Sequence, residues 1–494
     1  MNKRLTLAIA LLISSRALAG GYEYPDNGTE AMGRGATFTA KADSPLALLY
    51  NVGGLARQRG TRLEVDMNFA FQKLDFQRAG VYPGDPTDPL TPWAGQPFPK
   101  VSNKGGMMFA PGLYLSSDFH YFERWTFGIG LFGPSSIGNR DFGKTVTAPN
   151  GMVYPGPGRY DILGTDLLIF YPTLGAAVRA TKWLSIGVGI HLVFADLDLR
   201  STSITDTGNG TCPTPEYKPC DATLELKVKA LTATASLGVH ITPIKAIAIG
   251  LNLRGPAYLN ASGKAHSVSP DFLGGMPQEP AKVTFKTNLP WVLRMGGRYI
   301  FWKDDFERGD IELDVTYESW KMAQDPGPKL NIPALSLFTN INAQIYHKYR
   351  DTFSVRLGGA FNQKLPAGVL TVRAGAYYDR GATSNENTRI NFDTLDKIGL
   401  TLGLGYKWRG LIINVAYAYI HSPDRHVTNG QLRPINSAGA ADFGTGQDRP
   451  TGGTELYPAV NNGLYQVATH VASLGLQFWI EDFFTKKKRV LKYE

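Results

Sequence analysis

The chain has 494 residues, a formal net charge of +9, 55 glycines and 48 tyrosines and phenylalanines together, with 43% of residues apolar. No continuous apolar run of 18 or more residues follows the N-terminus, which excludes a bundle of membrane helices. The basic residues are scattered apart from Lys486–Arg489, so the charge does not point to a nucleic-acid partner.

Lys3 and Arg4, the apolar run Leu5 to Ile13 and the small-residue site Ala17-Leu18-Ala19 have the three-part layout of a secretory signal peptide, expected over residues 1–19. The run is too short to cross a bilayer. Export permits disulfides, and the two cysteines, Cys212 and Cys220, are expected to form one local loop staple. No His lies near them in sequence, so a metal pair is disfavoured and no metal or cofactor is expected.

Residues 20–60 do not alternate. Asp43-Ser44-Pro45 reads as a helix start, and Leu46, Leu48, Leu49 and Leu55 favour burial over disorder. From there the chain changes character. Leu63, Val65, Met67, Phe69 and Phe71 alternate with Glu64, Asp66, Asn68, Ala70 and Gln72. Ile311, Leu313, Val315 and Tyr317 alternate with Glu312, Asp314, Thr316 and Glu318, and Leu411 to Tyr419 repeats the pattern. Period-2 alternation places apolar side chains on one face of a strand. Such segments are expected near 61–76, 106–117, 124–134, 166–180, 182–200, 222–241, 244–259 and 282–302. Others follow near 310–320, 351–363, 367–379, 396–409, 411–421 and 469–480.

That makes about fourteen strands, an even number, with short turns alternating with long polar connections near 77–105, 134–165, 201–221, 260–281, 321–350, 380–395 and 422–468. Short periplasmic turns and long outer loops are the signature of a transmembrane β-barrel. A soluble sandwich has no reason to sort its loops in this way, and no internal repeat suggests a propeller. The fold class is therefore all-β, a 14-stranded antiparallel barrel over residues 61–480, with a tail at 481–494. Interior positions read as mixed, with Glu225, Lys227 and Lys229 taken as pointing inward.

Enzyme motifs are poorly supported. GNRDFGKT, Gly138 to Thr145, satisfies the phosphate-binding loop pattern, but it follows a barrel strand and precedes a Pro- and Gly-rich stretch that forbids the required helix. Neither a nucleophile elbow nor a zinc helix is present, so no catalytic residue is assigned. Asp196 and Asp198 lack the Gly and terminal Glu of a calcium loop.

The segment GRGATFTAKADSPLALLYNVGGLA, Gly33 to Ala56, and the blocks at Tyr171–Ile190, Leu289–Phe301, Asp314–Trp320, Tyr349–Phe361 and Ile413–His421 carry a resemblance. Together the chain resembles the FadL-type transporters of long-chain fatty acids and other hydrophobic compounds in Gram-negative outer membranes. The resemblance implies that residues 20–60 form a hatch inside the barrel, with Gly33, Arg34, Gly35, Asn51, Gly53 and Leu55 among its features. Asn51-Val52-Gly53 stands where relatives have Asn-Pro-Ala. The resemblance also implies capture outside, passage within the barrel and sideways release through a wall gap, for which Gly133 and Pro134 are candidates; they also read as a plain strand end.

Rough correspondence offers Arg200, Lys348 and Arg350 as head-group cations, the competing reading being solvated loop charges. The implied function is passive uptake of a hydrophobic molecule, foremost long-chain fatty acids, by a monomer in contact with outer-membrane lipid and lipopolysaccharide. The alternatives are an aromatic or alkane channel of the same family, a water-filled porin or an outer-membrane lipase.

Overall fold

The computed structural model describes residues 27–133, 139–148, 151–205, 210–214, 216–324, 329–332, 341–344, 348–391, 395–434 and 458–481. The expected signal peptide, Gly20 to Asp26, Pro134, Gly138 and the tail beyond Glu481 lie outside the described residues.

Fourteen antiparallel strands close into a ring. They are β1 (Arg62–Arg78), β2 (Met108–Ser117), β3 (Trp125–Phe132), β4 (Gly164–Arg179), β5 (Leu184–Ile204) and β6 (Asp221–Ile244). β7 runs as Ile247–Arg254 and Ala257–Val268, and β8 as Ala281–Leu289 and Val292–Lys303. β9 (Phe306–Glu318), β10 (Thr352–Leu365), β11 (Gly368–Asp379), β12 (Lys397–Trp408), β13 (Leu411–Val427) and β14 (Gly463–Trp479) complete the set. β14 pairs back onto β1 from Arg62↔Trp479 to Arg78↔Gly463, so the sheet has no free edge there. The breaks in β7 and β8 fall at Gly255-Pro256 and Pro290-Trp291, where proline removes a ladder N–H. β7 then continues to Val268, past the expected end near residue 259.

Turn chemistry fits the sorting of the connections. Asp304 and Asp305 both take positive φ, 48° and 58°, between the paired residues Lys303 and Phe306. This is the geometry of a tight type I′ hairpin. Leu365 pairs with Gly368 and Trp408 with Leu411 across similar two-residue turns.

Within the bilayer belt the alternating strands face as a membrane demands. Val65, Phe71, Ile311, Leu313, Leu357 and Leu402 are exposed on the outer wall, while Glu64, Asp66, Glu312 and Asp314 are buried toward the lumen. Charged groups face inward because hydrocarbon cannot solvate them.

One expectation is overturned. β5 and β6 pair without a bulge from Asp221↔Ile204 to Ile241↔Leu184, so each strand keeps its faces throughout. On β6 the lumen-facing set is Leu224, Leu226, Val228 and Ala230, all buried, while Lys227 and Lys229 are exposed. Glu225, Lys227 and Lys229 therefore point outward. The strand outgrows the bilayer, and its polarity inverts between Ala230 and Thr232 with no change of face. Below that point lipid lies outside and polar groups inside; above it water lies outside and apolar groups inside.

Candidate functional site

Residues 27–58 are almost wholly buried and contain two short helices, Thr29–Met32 and Ala47–Tyr50, then a 3-10 turn, Val52–Arg57. The Asp43-Ser44-Pro45 signal thus lies just before a helix, but the Ser44 hydroxyl donates to Glu64 at 2.7 Å rather than capping it. The segment touches strands on every side of the ring through lumen-facing glycines. A Cβ on Gly358 of β10 would fall 1.8 Å from the Arg34 carbonyl oxygen, and one on Gly250 of β7 2.0 Å from that of Thr39. One on Gly238 of β6 would lie 2.5 Å from Gly53 N, and one on Gly403 of β12 2.8 Å from Gly33 Cα. Glycine inside a strand marks close approach of another backbone, and here that backbone is the N-terminal segment.

Lumen carboxylates supply the polar half of the contact. Glu312 accepts from Ala40 N at 2.7 Å and Lys41 N at 3.2 Å. Asp314 accepts from Phe38 N and Thr39 N, each at 3.0 Å, and Asp66 from Thr29 N at 2.8 Å. Arg34 lies 2.5 Å from Asp310 and 3.1 Å from Glu312 with all three side chains fully buried. Asn51 donates to the carbonyls of Thr39 at 2.9 Å and Val239 at 3.0 Å and accepts from Gly53 N at 3.1 Å. Gly35 N donates to Thr401 at 2.8 Å, and Leu55 is buried in the core cluster. These bonds give short helices, too short to be stable alone, a defined place.

On the extracellular side of this segment the lumen wall turns apolar. Ile169, Val193, Leu224, Leu226, Leu259 and Val283 form one cluster with Leu46, Leu48, Tyr50, Val52 and Leu55 of the segment. At its base two arginines face inward: Arg254, whose guanidinium lies 5.4 Å from the Tyr171 ring, and Arg294, 5.7 Å from the Tyr50 ring. Both are at most 9% exposed. His191 beside them bonds Thr173 at 2.8 Å and Ser236 at 2.9 Å. Phe132, the last residue of β3, stacks on Tyr171 at 5.8 Å and meets His191 edge-on at 6.2 Å. The upper lumen, the chamber of this barrel, is thus lined by apolar side chains packed on the N-terminal segment, above a cationic, aromatic floor beside the end of β3.

Among the described residues, β2 pairs with β3 from Leu113↔Leu131 to Ser117↔Phe127. The ladder on β4 passes from Phe132↔Tyr171 to Arg140↔Thr165. Gly133 follows, and its carbonyl accepts a hydrogen bond from Asn27 Nδ2. Asn27 Oδ1 in turn accepts from Asn68 at 3.0 Å, and its carbonyl from Tyr50 at 3.3 Å. The N-terminal segment is thus bonded directly to the strand end.

The three head-group candidates are not brought together. Arg200 shares the outer face of β5 with Asp196 and Asp198, opposite Glu225, and does not enter the lumen. Lys348 reaches Gln431 at 2.9 Å and Arg350 the Gly381 carbonyl at 3.3 Å, both contacts between outer loops. Arg254 and Arg294 were missed. Their signal was an arginine on the lumen parity of an otherwise lipid-compatible strand.

The outer loops are themselves built. Cys212 and Cys220 are bonded. Nearby, Glu216 lies 2.5 Å from Arg78 and 3.6 Å from Arg159, and Arg159 lies 2.8 Å from Asp221. Burial alone would raise the Glu216 carboxyl, but Arg78 and then Arg159 hold it below its ordinary value. Burial raises the Tyr160 hydroxyl. The described part of GNRDFGKT belongs here too: Arg140–Asp141 pair with β4, and Thr145–Thr147 form a hairpin with Val153–Pro155, so a strand follows the motif instead of a helix.

A closed ring with a lipid-facing apolar band, short turns at one end and long loops at the other defines an integral β-barrel of the Gram-negative outer membrane. Residues 10–445 match the family described as outer membrane protein transport protein (OMPP1/FadL/TodX), and the chain belongs to that family. It is an outer-membrane transporter of hydrophobic compounds. Solved structures share the fold. A Pseudomonas aeruginosa FadL homologue has a TM-score of 0.69 at 16% identity, covering 94% of this chain and 100% of its own. The Ralstonia pickettii toluene transporter TbuX has 0.62 at 16%, covering 92% and 98%. The Pseudomonas putida toluene transporter TodX has 0.61 at 15%, covering 93% and 99%. Among curated proteins, none matches the chain in sequence.

Proposed function

We propose that this transporter takes up long-chain fatty acids, with the acyl chain in the apolar chamber and the carboxylate on Arg254 and Arg294. The observation that carries this reading is a pair of buried, lumen-facing arginines at the base of a lumen wall lined mostly by apolar side chains. An alkane gains nothing from two buried cations and an aromatic ring gains a cation–π contact of about 0.5–2 kcal/mol, whereas a carboxylate gains charge-assisted hydrogen bonds of about 1.5–3 kcal/mol each. Residues 27–58 act as the hatch and close the barrel below the chamber. Its movement releases the Asn27 bond to Gly133 and frees the end of β3, so the ligand leaves sideways into the membrane. The barrel acts as a monomer and passively; a general porin or a lipase is disfavoured by the packed lumen and by the lack of a nucleophile motif.

The second reading, an aromatic hydrocarbon channel, is favoured by the fold similarity to TbuX and TodX, which are toluene transporters. Uptake of radiolabelled oleate and toluene by cells carrying the wild type or the Arg254→Ala/Arg294→Ala variant separates the two. The fatty-acid reading expects oleate uptake to fall at least tenfold in the variant. Wild-type uptake of toluene without oleate would support the hydrocarbon channel instead.

A further inference from the structure

The inverted outer face of β6 to β8 carries a row of lysines that the transport route does not use. Lys227 on β6, Lys264 on β7 and Lys282 on β8 are direct lateral neighbours: Lys227 is in register with Lys264, and Lys264 with Lys282. All three are exposed and point away from the lumen. Two outward positions toward the bilayer, past Thr284, Lys286 is in register with Asn260. Adjacent strands lie about 4.8 Å apart, and like charges directly opposite one another on neighbouring strands repel. An apo surface has no reason to assemble such a row; an anion laid across it removes the repulsion.

The neighbouring acids do not supply that anion. Asp198 and Glu225 lie 3.6 Å and 3.0 Å from Lys227, and Asp196 lies 2.9 Å from Lys229. Asp166 and Arg200 sit further along the same side, beside Asp198 and Glu225. The acids therefore engage the β6 lysines. Lys264, Lys282 and Lys286 form no ion pair with any described carboxylate.

Height identifies the ligand. On β6 the outward positions from Leu231 to Ile241 are apolar, and at about 3.3 Å per residue and a tilt near 40° that run spans roughly 25 Å, the height of the hydrocarbon belt. The lysine row begins just above its outer edge. Nearer the membrane on the same outer faces, Leu231 lies two outward positions below Lys227 and Tyr258 three below Lys264, past Ser262 and Asn260; they are 70% and 56% exposed and open to acyl chains. Cations above, apolar side chains below, at the outer-leaflet boundary, match an amphiphile with anionic groups on its head.

We propose that the outer face of β6–β8 binds the phosphates of the outer-leaflet glycolipid, the lipid A portion of lipopolysaccharide, through Lys264, Lys282 and Lys286, with Lys227 at the end of the row. The site is separate from the transport lumen and fixes an annular lipid against the wall. Its test is a native mass-spectrometry titration of the full-length protein in detergent. The lipids are hexa-acylated lipid A, its doubly dephosphorylated form and phosphatidylglycerol. The wild type is expected to bind lipid A at least tenfold tighter than either of the others. Lys264→Gln/Lys282→Gln/Lys286→Gln loses that margin, while Lys182→Gln/Lys303→Gln/Lys364→Gln at the periplasmic end keeps it. Unchanged lipid A binding in the first triple variant overturns the site, and equal wild-type binding of phosphatidylglycerol overturns the glycolipid. Should the triple variant lose its heat-modifiable folded band, Lys264→Gln and Lys282→Gln are titrated singly. A threefold loss in each supports the proposal, and no loss overturns it.

Discussion

Replacing Gly358 by alanine adds one methyl group on the lumen face of β10, and the consequence can be worked out from distances. The new Cβ would lie 1.8 Å from the Arg34 carbonyl oxygen and 2.7 Å from Thr37 Oγ1, against a floor of 3.0 Å for real Cβ contacts. The Arg34 backbone must therefore retreat by at least the 1.2 Å difference. That motion lengthens the buried Arg34 bonds to Asp310 and Glu312, now 2.5 Å and 3.1 Å. Overpacking alone costs about 1–3 kcal/mol, and breaking a buried ion pair about 3–5 kcal/mol. Even the lower bound of the sum, about 4 kcal/mol, shifts the docked-to-undocked ratio of the N-terminal segment about a thousandfold, at about 1.4 kcal/mol per tenfold. The strand ladder uses only the backbone of Gly358, so the barrel still forms.

Gly297→Ala is the matched control, because a Cβ there meets nothing within 4 Å. Both variants are expected to give the heat-modifiable band of a folded barrel, but in planar bilayers Gly358→Ala conducts ions in bursts while Gly297→Ala and the wild type stay near silent. A folded Gly358→Ala barrel as silent as the control, with residues 27–58 equally protected from protease, would refute the reasoning.

Asn51→Ala removes three hydrogen bonds, two to buried partners and one to the half-buried Val239, and is expected to destabilise docking of the N-terminal segment by about 2–4 kcal/mol, read as faster proteolysis within residues 27–58 in an otherwise intact barrel. Leu226→Glu places a charge in the apolar chamber and should cut hydrophobe uptake at least tenfold with normal assembly. The Glu216 carboxyl is held below its ordinary value in the folded loops, so its contribution is present above the unfolded carboxylate value near 4.3 and is lost as pH falls through the folded value. Acidification below about pH 4 is therefore expected to speed proteolysis of the outer loops, and Glu216→Gln should flatten that dependence while raising the rate at neutral pH.

Much of the barrel was readable from residue pattern alone. The alternation of Leu63 to Gln72 and of Ile311 to Glu318 defines strands with one face for lipid, because a strand has period two whatever its neighbours are. The even strand number and the sorting of turns from loops follow from a chain that must cross a bilayer back and forth. The resemblance carried by Gly33 to Ala56 led to the family.

Other features depended on three dimensions. Which side of β6 faces water depends on where the bilayer stops, and nothing local to Lys227 or Leu226 encodes that height, so the inward reading of the lysines failed. The role of Gly358, Gly250 and Gly238 was invisible because the backbone that needs their space lies hundreds of residues earlier in the chain. Arg254 and Arg294 could be assigned a face from parity, but their place at the floor of one chamber required the pairing of β7 with β8 and the docking of Tyr50 beneath them. Periodicity, by itself, determined that this protein is a membrane-spanning barrel. The tertiary structure alone decided what lies inside it, because the buried N-terminal segment, its glycine berth and a cationic floor are contacts between residues distant in sequence, and a period-two pattern carries no record of them.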